Sequence, residues 1–317
     1  MDSEEKRTNF LAWLRECHTE SLKVLNPVPL MLWNMDKRYL LDLKNENVAI
    51  PVVLFAGILW SFGPLVVRHI DQPELVPWQY LLARGITIFI LLNIYLFFEE
   101  GLDFYKNYSK IGQSGLIGGT GLGIAMMSFI WSITHTSAAI TLLCLAAMPF
   151  MTALLGFFFL KEIISRNVWI AIIVATTGII IMALGDYEKG SLFGFLFGIL
   201  SALGFSIFSV SLRWRKETPK FTTVAFAGAL CAAVSILILF IDGSAFISSS
   251  KNEALFSVHG SLVCLGLILY SIGSKAIPAA ELTLLSLTEV IGGIFWVWLP
   301  IFGINEIPTN TTIIGGF

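Results

Sequence analysis

Long apolar runs joined by short polar loops constrain this chain more than any other feature. They lie at roughly 48–67, 75–98, 112–133, 137–160, 167–185, 192–212, 221–241, 256–275 and 279–302. A run of about 20 apolar residues is the length needed to cross a ~30 Å hydrocarbon core. Only 13% of the 317 residues are charged, whereas a soluble domain carries about 25%. The pattern therefore predicts an all-α polytopic membrane protein.

The two ends of the chain stand apart from these nine spans. A tenth apolar run begins at Thr312 and stops at Phe317, and six helical residues rise only about 9 Å. We therefore expect a ten-helix plan whose tenth helix is truncated, whether naturally or not. Residues 1–47 form a cytoplasmic or interfacial extension, either an amphipathic helix with Phe10 and Trp13 on its apolar face or a disordered tail. Met35 is a second possible start.

Basic residues in the loops predict the orientation. With the N-terminus in the cytoplasm, nine fall in cytoplasmic loops: Lys106, Lys110, Lys161, Arg166, Arg213, Arg215, Lys216, Lys220 and Lys275. Three fall on the other side: Arg68, Lys189 and Lys251. Because positive charge is retained on the cytoplasmic side, we expect a cytoplasmic N-terminus in the inner (plasma) membrane of a bacterium.

Composition also limits the partners. The net charge of −2 argues against nucleic acid, which requires a basic surface. The four cysteines form no CxxC pair, so they predict buried apolar residues and neither a disulfide framework nor a metal site. We expect no cofactor. The lipid bilayer is a partner by necessity, and the oligomeric state is not indicated.

An internal repeat relates the fourth span to the ninth. A shift of 142 residues places IWSITHTSAAITLLCL (130–145) over IGSKAIPAAELTLLSL (272–287) without a gap. Five spans separate the two segments, and because five is odd, they cross the membrane in opposite directions. Inverted repeats of this kind are typical of secondary transporters, whose substrate site lies near the midplane between the repeats.

Several segments resemble one transporter family. They are LTLLSLTEVIGGIFWVWLPIFGINEIP (282–308) with the following TTIIGG, FAGILWSFGPLVVRHI (55–70), LLARGITIFILL (81–92), GFLFGILSALGFSIFSVSLRWR (194–215), and 137–185 with Pro149 and Lys161-Glu162. In this order they resemble the EamA type of the drug/metabolite transporter superfamily. The loop after Trp298 is longer than is usual there and contains Pro300.

The resemblance implies two inverted five-helix EamA repeats, over 48–185 and 191–317, the second lacking most of its last helix. It also implies secondary transport of a small metabolite, often outward. From the residues themselves we expect an amino acid-like or amphipathic substrate moved by alternating access.

Two charged residues lie near the membrane midplane. Arg84 is nine residues into the second span and Glu289 is ten residues into the ninth, so each lies roughly 14–15 Å deep at 1.5 Å per residue. A charge in the hydrocarbon is costly and usually faces a bundle interior. They predict a polar substrate site in which Glu289 takes a proton in exchange. The alternatives are an Arg84–Glu289 ion pair, or separate extension of the two side chains to water, either of which only fixes the bundle.

Other polar and aromatic residues complete the predicted site. Tyr80 shares a helix face with Arg84, and Ser286 and Trp296 share one with Glu289. Further candidates for the cavity wall are Trp60, Ser128, Trp131 and Thr141. For each of these last four residues, helix packing is the competing interpretation.

Two other functions compete with transport. A membrane-embedded enzyme would need a catalytic constellation, but HExxH, P-loop and GxSxG motifs do not occur in the sequence. The four histidines are predicted at helix ends or outside the membrane: His18, His69, His135 and His259. A non-transporting assembly subunit is the other alternative. We therefore expect a transporter and no enzyme.

Overall fold

The structure is a computed structural model that describes residues 46–186, 192–215, 217–304 and 314. The regular secondary structure of these residues is helical, short loops join the helices, and no β-strand occurs among them. The N-terminal extension lies outside the described residues, as does the tenth span apart from Ile314.

Nine long helices occupy the positions of the nine predicted spans in the described part of the chain. They are α1 (Glu46–Arg68), α2 (Pro77–Glu100), α3 (Gly112–His135), α4 (Ala138–Leu145 and Met148–Leu155), α5 (Arg166–Asp186), α6 (Leu192–Trp214), α7 (Lys220–Asp242), α8 (Ser250–Gly273) and α9 (Ala279–Leu285 and Thr288–Trp298). Helices α1 to α4 and α6 to α9 are each long and apolar enough to cross a membrane. The prediction of an all-α polytopic membrane protein is confirmed.

Helix α4 is broken near its middle by a proline. Pro149 stands in the first turn of the second segment, and it has no N–H to donate to the carbonyl of Leu145. The chain tightens before it, since the Ala146 N–H reaches Leu143 O at 3.1 Å and the Ala147 N–H reaches Cys144 O at 3.1 Å. A π-helical turn, Gly156–Leu160, ends the helix.

Helix α9 is broken at the corresponding place without a proline. The hydroxyl of Ser286 donates to Thr283 O at 2.7 Å, and that of Thr288 donates to Leu285 O at 3.1 Å. Such bonds compete with the main-chain ladder and bend helices. The Glu289 N–H consequently bonds three residues back, to Ser286 O at 3.0 Å. Each broken helix therefore brings an irregular stretch of main chain to the middle of the bundle.

Helix α8 begins six residues before its predicted start. Ser249 caps it by accepting a hydrogen bond from the Asn252 N–H at 3.2 Å. The Glu253 carboxylate accepts from the Ser248 N–H at 2.8 Å, so two main-chain donors are satisfied together, as in a capping box. Polar residues at 250–253 hide this first turn from a hydropathy reading.

The helix contacts have an exchange symmetry. The contact of α3 with α6 has a counterpart in the contact of α8 with α1. In the same way, α4–α6 corresponds to α9–α1, and α3–α7 corresponds to α8–α2. The first segment of α4 meets the second segment of α9, and the second segment of α4 meets the first of α9. Each contact maps onto another when a helix is exchanged with the one five places later. This pattern supports the inverted repeat, which stays a prediction.

Glycines let helix backbones touch at two crossings, that of α3 with α6 and that of α2 with α7. A Cβ on Gly204 of α6 would lie 2.5 Å from the carbonyl oxygen of Gly121 in α3. A Cβ on Gly85 of α2 would lie 2.7 Å from the carbonyl oxygen of Gly228 in α7. Neither distance is attainable without a backbone shift, so these positions hold the helices at their closest approach.

We expect Gly204→Leu to lower the melting temperature in detergent. The added side chain meets backbone, which cannot rotate away, and overpacking of this kind costs about 1–3 kcal/mol. The control is Leu203→Ala at the preceding position, whose side chain is exposed on the outside of the bundle. Equal melting temperatures for the two variants would contradict the close crossing.

Candidate functional site

A cavity lies at the centre of the bundle, lined by residues of α1, α2, α3, α4, α6, α8 and α9. Much of its wall is apolar, including Trp60, Met126, Phe129, Phe205 and Leu267. Its polar side chains are Arg84, Ser201, His259 and Glu289. Leu145 and Met148, which flank the break in α4, also line it.

Arg84 is the most constrained polar residue of the cavity wall. Its side chain is only 4% exposed, and its guanidinium carbon lies 6.0 Å from the ring centroid of Phe129. Its Nε and Nη1 atoms are buried without a hydrogen-bond partner. A buried guanidinium normally has its donors satisfied, so Arg84 holds unused hydrogen-bonding capacity beside the cavity.

Glu289 enters the cavity from the opposite repeat. It is the second residue after the break in α9 and is partly accessible. It lines the same cavity as Arg84, but no ion pair joins the two side chains among the described residues. The two charges that were predicted to lie at equal depth therefore face one cavity, and the structure has no direct bridge between them.

Trp60 forms a fixed wall of the cavity. Its indole Nε1–H donates to Val263 O at 3.3 Å, and its ring contacts Phe205 and Tyr270 at centroid distances of 5.6 and 5.4 Å. A Cβ on Gly266 would lie 2.1 Å from the indole nitrogen. Because Gly266 leaves this room, the indole packs directly on the α8 backbone.

The sequence-based placement of His259 is wrong. It lies nine residues into α8, is 2% exposed and lines the cavity. Its Nδ1 is hydrogen-bonded to the hydroxyl of Tyr80, which is itself fully buried and stacked on Phe256 at 4.6 Å. Tyr80 therefore contacts the cavity through His259. The signal that could have located His259 is the Ser249 cap at the true start of α8.

The other predicted site residues lie elsewhere. Ser128 and Trp131 line a separate apolar groove with Trp78 and Phe197. Thr141 is fully buried and its hydroxyl lies 2.9 Å from that of Ser132.

On α9, two further predicted residues are engaged in packing contacts away from the cavity wall. The Ser286 hydroxyl donates to the main chain at the helix break. The Trp296 indole donates to the Ser61 hydroxyl at 2.8 Å and stacks on Phe62 at 4.7 Å. The break displaces Ser286 from the face on which Glu289 meets the cavity.

Comparisons with known proteins agree with this architecture. Residues 47–184 match the model of the EamA-like transporter family. An uncharacterized transporter of Helicobacter pylori (strain J99) is 24% identical over 256 residues, which cover 78% of this chain and 84% of the relative. The uncharacterized transporter YojE of Bacillus subtilis is 25% identical over 237 residues, 72% of this chain and 77% of the relative.

A solved structure shares the fold. It superposes with a TM-score of 0.64 at 20% identity and covers 84% of this chain and 91% of its own. At this identity the likeness concerns the fold alone. The family match and the relatives support an integral membrane transporter and point away from an enzyme.

We expect Tyr80→Phe to destabilise the protein more than Tyr108→Phe does. Removing the Tyr80 hydroxyl leaves His259 buried without its partner, which costs about 1–3 kcal/mol. Tyr108 donates to Asn93 at 2.8 Å but is partly exposed, so water can replace the lost bond. Melting temperatures in detergent distinguish the two variants. A loss for Tyr108→Phe as large as that for Tyr80→Phe would contradict the buried pair.

Proposed function

We propose that this membrane transporter, whose residues 47–184 belong to the EamA-like transporter family, carries a small amino acid-like metabolite through its central cavity. One observation carries the proposal: the Arg84 guanidinium lines the cavity while its Nε and Nη1 atoms have no protein partner. A carboxylate is the acceptor that forms strong, charge-assisted hydrogen bonds with guanidinium N–H groups. A substrate carboxylate would therefore supply an acceptor that the protein does not.

The rest of the cavity supports an amino acid-like substrate. Glu289 can receive an ammonium group while Arg84 receives the carboxylate. The aromatic and methionine side chains of the wall suit an apolar substituent. The occupant that fits these features is a zwitterion with an apolar side chain.

Alternating access is the proposed mechanism. The cavity lies where α4 and α9 are broken and pack on each other, and broken helices at a repeat interface are typical of transporter substrate sites. The direction we propose is outward. The relatives come from bacteria, which supports the plasma membrane as its location, and we keep the cytoplasmic N-terminus as a prediction.

Protons are the proposed coupling ion. A proton and a substrate ammonium would compete for the same Glu289 carboxylate. Protonation of Glu289 from outside would release the substrate there, and deprotonation inside would make the carboxylate available for the next molecule. One carboxylate that accepts either cation suffices for exchange.

Arg84 variants test the carboxylate site. We expect Arg84→Gln in proteoliposomes to raise the KM for counterflow of a radiolabelled amino-acid mixture by about tenfold or more, since a hydrogen bond to a charged group contributes about 1.5–3 kcal/mol. Arg84→Lys should be intermediate because lysine keeps the charge and loses the planar fork.

The control for these variants is Lys251→Gln. It removes a cation from an ion pair with Asp71 in which both side chains are more than half exposed. It should leave KM unchanged. Arg84→Gln should remain folded, since Nε and Nη1 make no hydrogen bond with the protein. Unchanged transport by a folded Arg84→Gln would refute the carboxylate site.

Glu289→Gln tests proton coupling. In the unmodified protein we expect an imposed pH gradient to drive substrate towards the acidic compartment. The variant keeps the shape of the side chain but cannot exchange a proton, so its flux should no longer respond to the gradient. Glu281→Gln, on the first segment of the same helix and away from the cavity wall, is the control. A retained response in Glu289→Gln would exclude this residue as the coupling group.

A further inference from the structure

Two arginines clamp main-chain carbonyls at the ends of the helix bundle. Arg213 closes α6, and its Nη1 donates to Ser274 O at 3.1 Å and to Ile277 O at 2.7 Å. Arg68 closes α1, and it donates from Nη1 to Ile133 O at 3.2 Å and from Nη2 to Thr136 O at 3.3 Å. In both cases the carbonyls belong to the turn that joins one long helix to a broken one.

The two sets of contacts are equivalent in the repeat. Ile133 and Ser274 are 141 residues apart, and so are Thr136 and Ile277. This spacing differs by one from the 142-residue shift found in the sequence. The arginines themselves are the last or next-to-last residues of α1 and α6. One clamp therefore corresponds to the other when the repeats are exchanged.

The end of the opposite broken helix is contacted at each place, by Arg213 itself at the first clamp and by His69, the residue after Arg68, at the second. At the first, the Arg213 Nε donates to Glu162 Oε1 at 2.6 Å, just after α4, and Glu162 Oε2 accepts from the Ala279 N–H at 3.2 Å, where α9 begins. At the second, the ring Nε2 of His69 lies 2.9 Å from the carbonyl oxygen of Phe302, just after α9.

The clamps lie at opposite ends of the cavity. Helix α9 begins at Ala279 beside the Arg213 clamp and leads to Phe302 beside the Arg68 clamp. Helix α4 begins just after Thr136 at the Arg68 clamp and leads to Glu162 at the Arg213 clamp. Both helices are broken between the clamps, at the level of the cavity.

We propose that Arg213 and Arg68 are the two latches of the transport cycle, each of which holds shut the end of the cavity at which it lies. A latch must open for the broken helices to separate at its end, and the other latch then keeps the far end closed. The inference rests on the proposed transport by alternating access. It assigns gating to side chains that do not line the substrate cavity.

The latches predict opposite changes in cavity accessibility. A cysteine at Ser201, on the cavity wall, can serve as the reporter in a chain whose four native cysteines are replaced by alanine. In proteoliposomes, a membrane-impermeant maleimide is supplied from one face at a time. We expect Arg213→Gln to raise labelling from the Arg213 face about threefold or more and to lower it from the other face. Arg68→Gln should do the reverse.

Two milder variants keep the test valid if a glutamine variant fails to fold. Arg213→Lys keeps the charge but cannot hold two carbonyls and a carboxylate at once, and Glu162→Gln keeps the shape but loses the charge. Both should shift labelling in the direction of Arg213→Gln. Arg215→Gln is the control, because Arg215 is an exposed cation two residues away and makes neither carbonyl contact.

The labelling needs no substrate, so its result is independent of the transport assays. Opposite shifts for Arg213 and Arg68 variants support the latches even if the substrate is not an amino acid. Shifts towards the same face, unchanged labelling in folded variants, or an equal shift in Arg215→Gln would overturn the inference.

Discussion

A buried guanidinium with unsatisfied donors is the constraint on which the rest of this structure depends. Arg84 is enclosed by aromatic and histidine side chains, and Nε and Nη1 find no acceptor in the protein. Burying a charge in this way is costly unless a partner compensates it. Glu289 lines the same cavity, and no ion pair joins it to Arg84 among the described residues. The unpaired guanidinium therefore lowers the free energy of unfolding, and a ligand that pairs with it in the cavity can raise that free energy again.

The broken helices explain how such a site can be opened. A continuous helix would pass the cavity without interruption, whereas α4 and α9 are each interrupted there. Pro149 produces one break and the hydroxyls of Ser286 and Thr288 produce the other. Close glycine crossings on α2, α3, α6 and α7 tie those helices together. The less regular helices α4 and α9 are thus the ones that connect the two arginine clamps.

Position along a helix could be predicted from the sequence, but the direction of a side chain around its helix could not. Counting residues placed Arg84 and Glu289 at one level, and both line the cavity. Ser128 and Trp131 have suitable depth, yet α3 is oriented by glycines that pack on α6 and α7, and these residues face another groove.

Local hydrogen bonds account for the other differences. Ser249 starts α8 six residues before the apolar run and thereby brings His259 into the cavity wall. The break in α9 similarly separates Ser286 from Glu289. A hydropathy profile does not reveal a polar first turn of a helix, as in α8, or a break within an apolar run, as in α9. The hydrogen bond between Tyr80 and His259 joins residues far apart in the sequence, so it could be recognised only from the tertiary structure.

The central claim is that Arg84 and Glu289 together recognise a zwitterion. The direct measurement is the melting temperature of the purified protein with matched ligands: apolar amino acids, the amines that lack their carboxylate, and the carboxylic acids that lack their ammonium group. Because a ligand that binds only the folded state stabilises it, at least one amino acid should raise the melting temperature in a saturable way. Its two truncated analogues should raise it much less at equal concentration. Equal stabilisation by an analogue that lacks one charge would contradict the account.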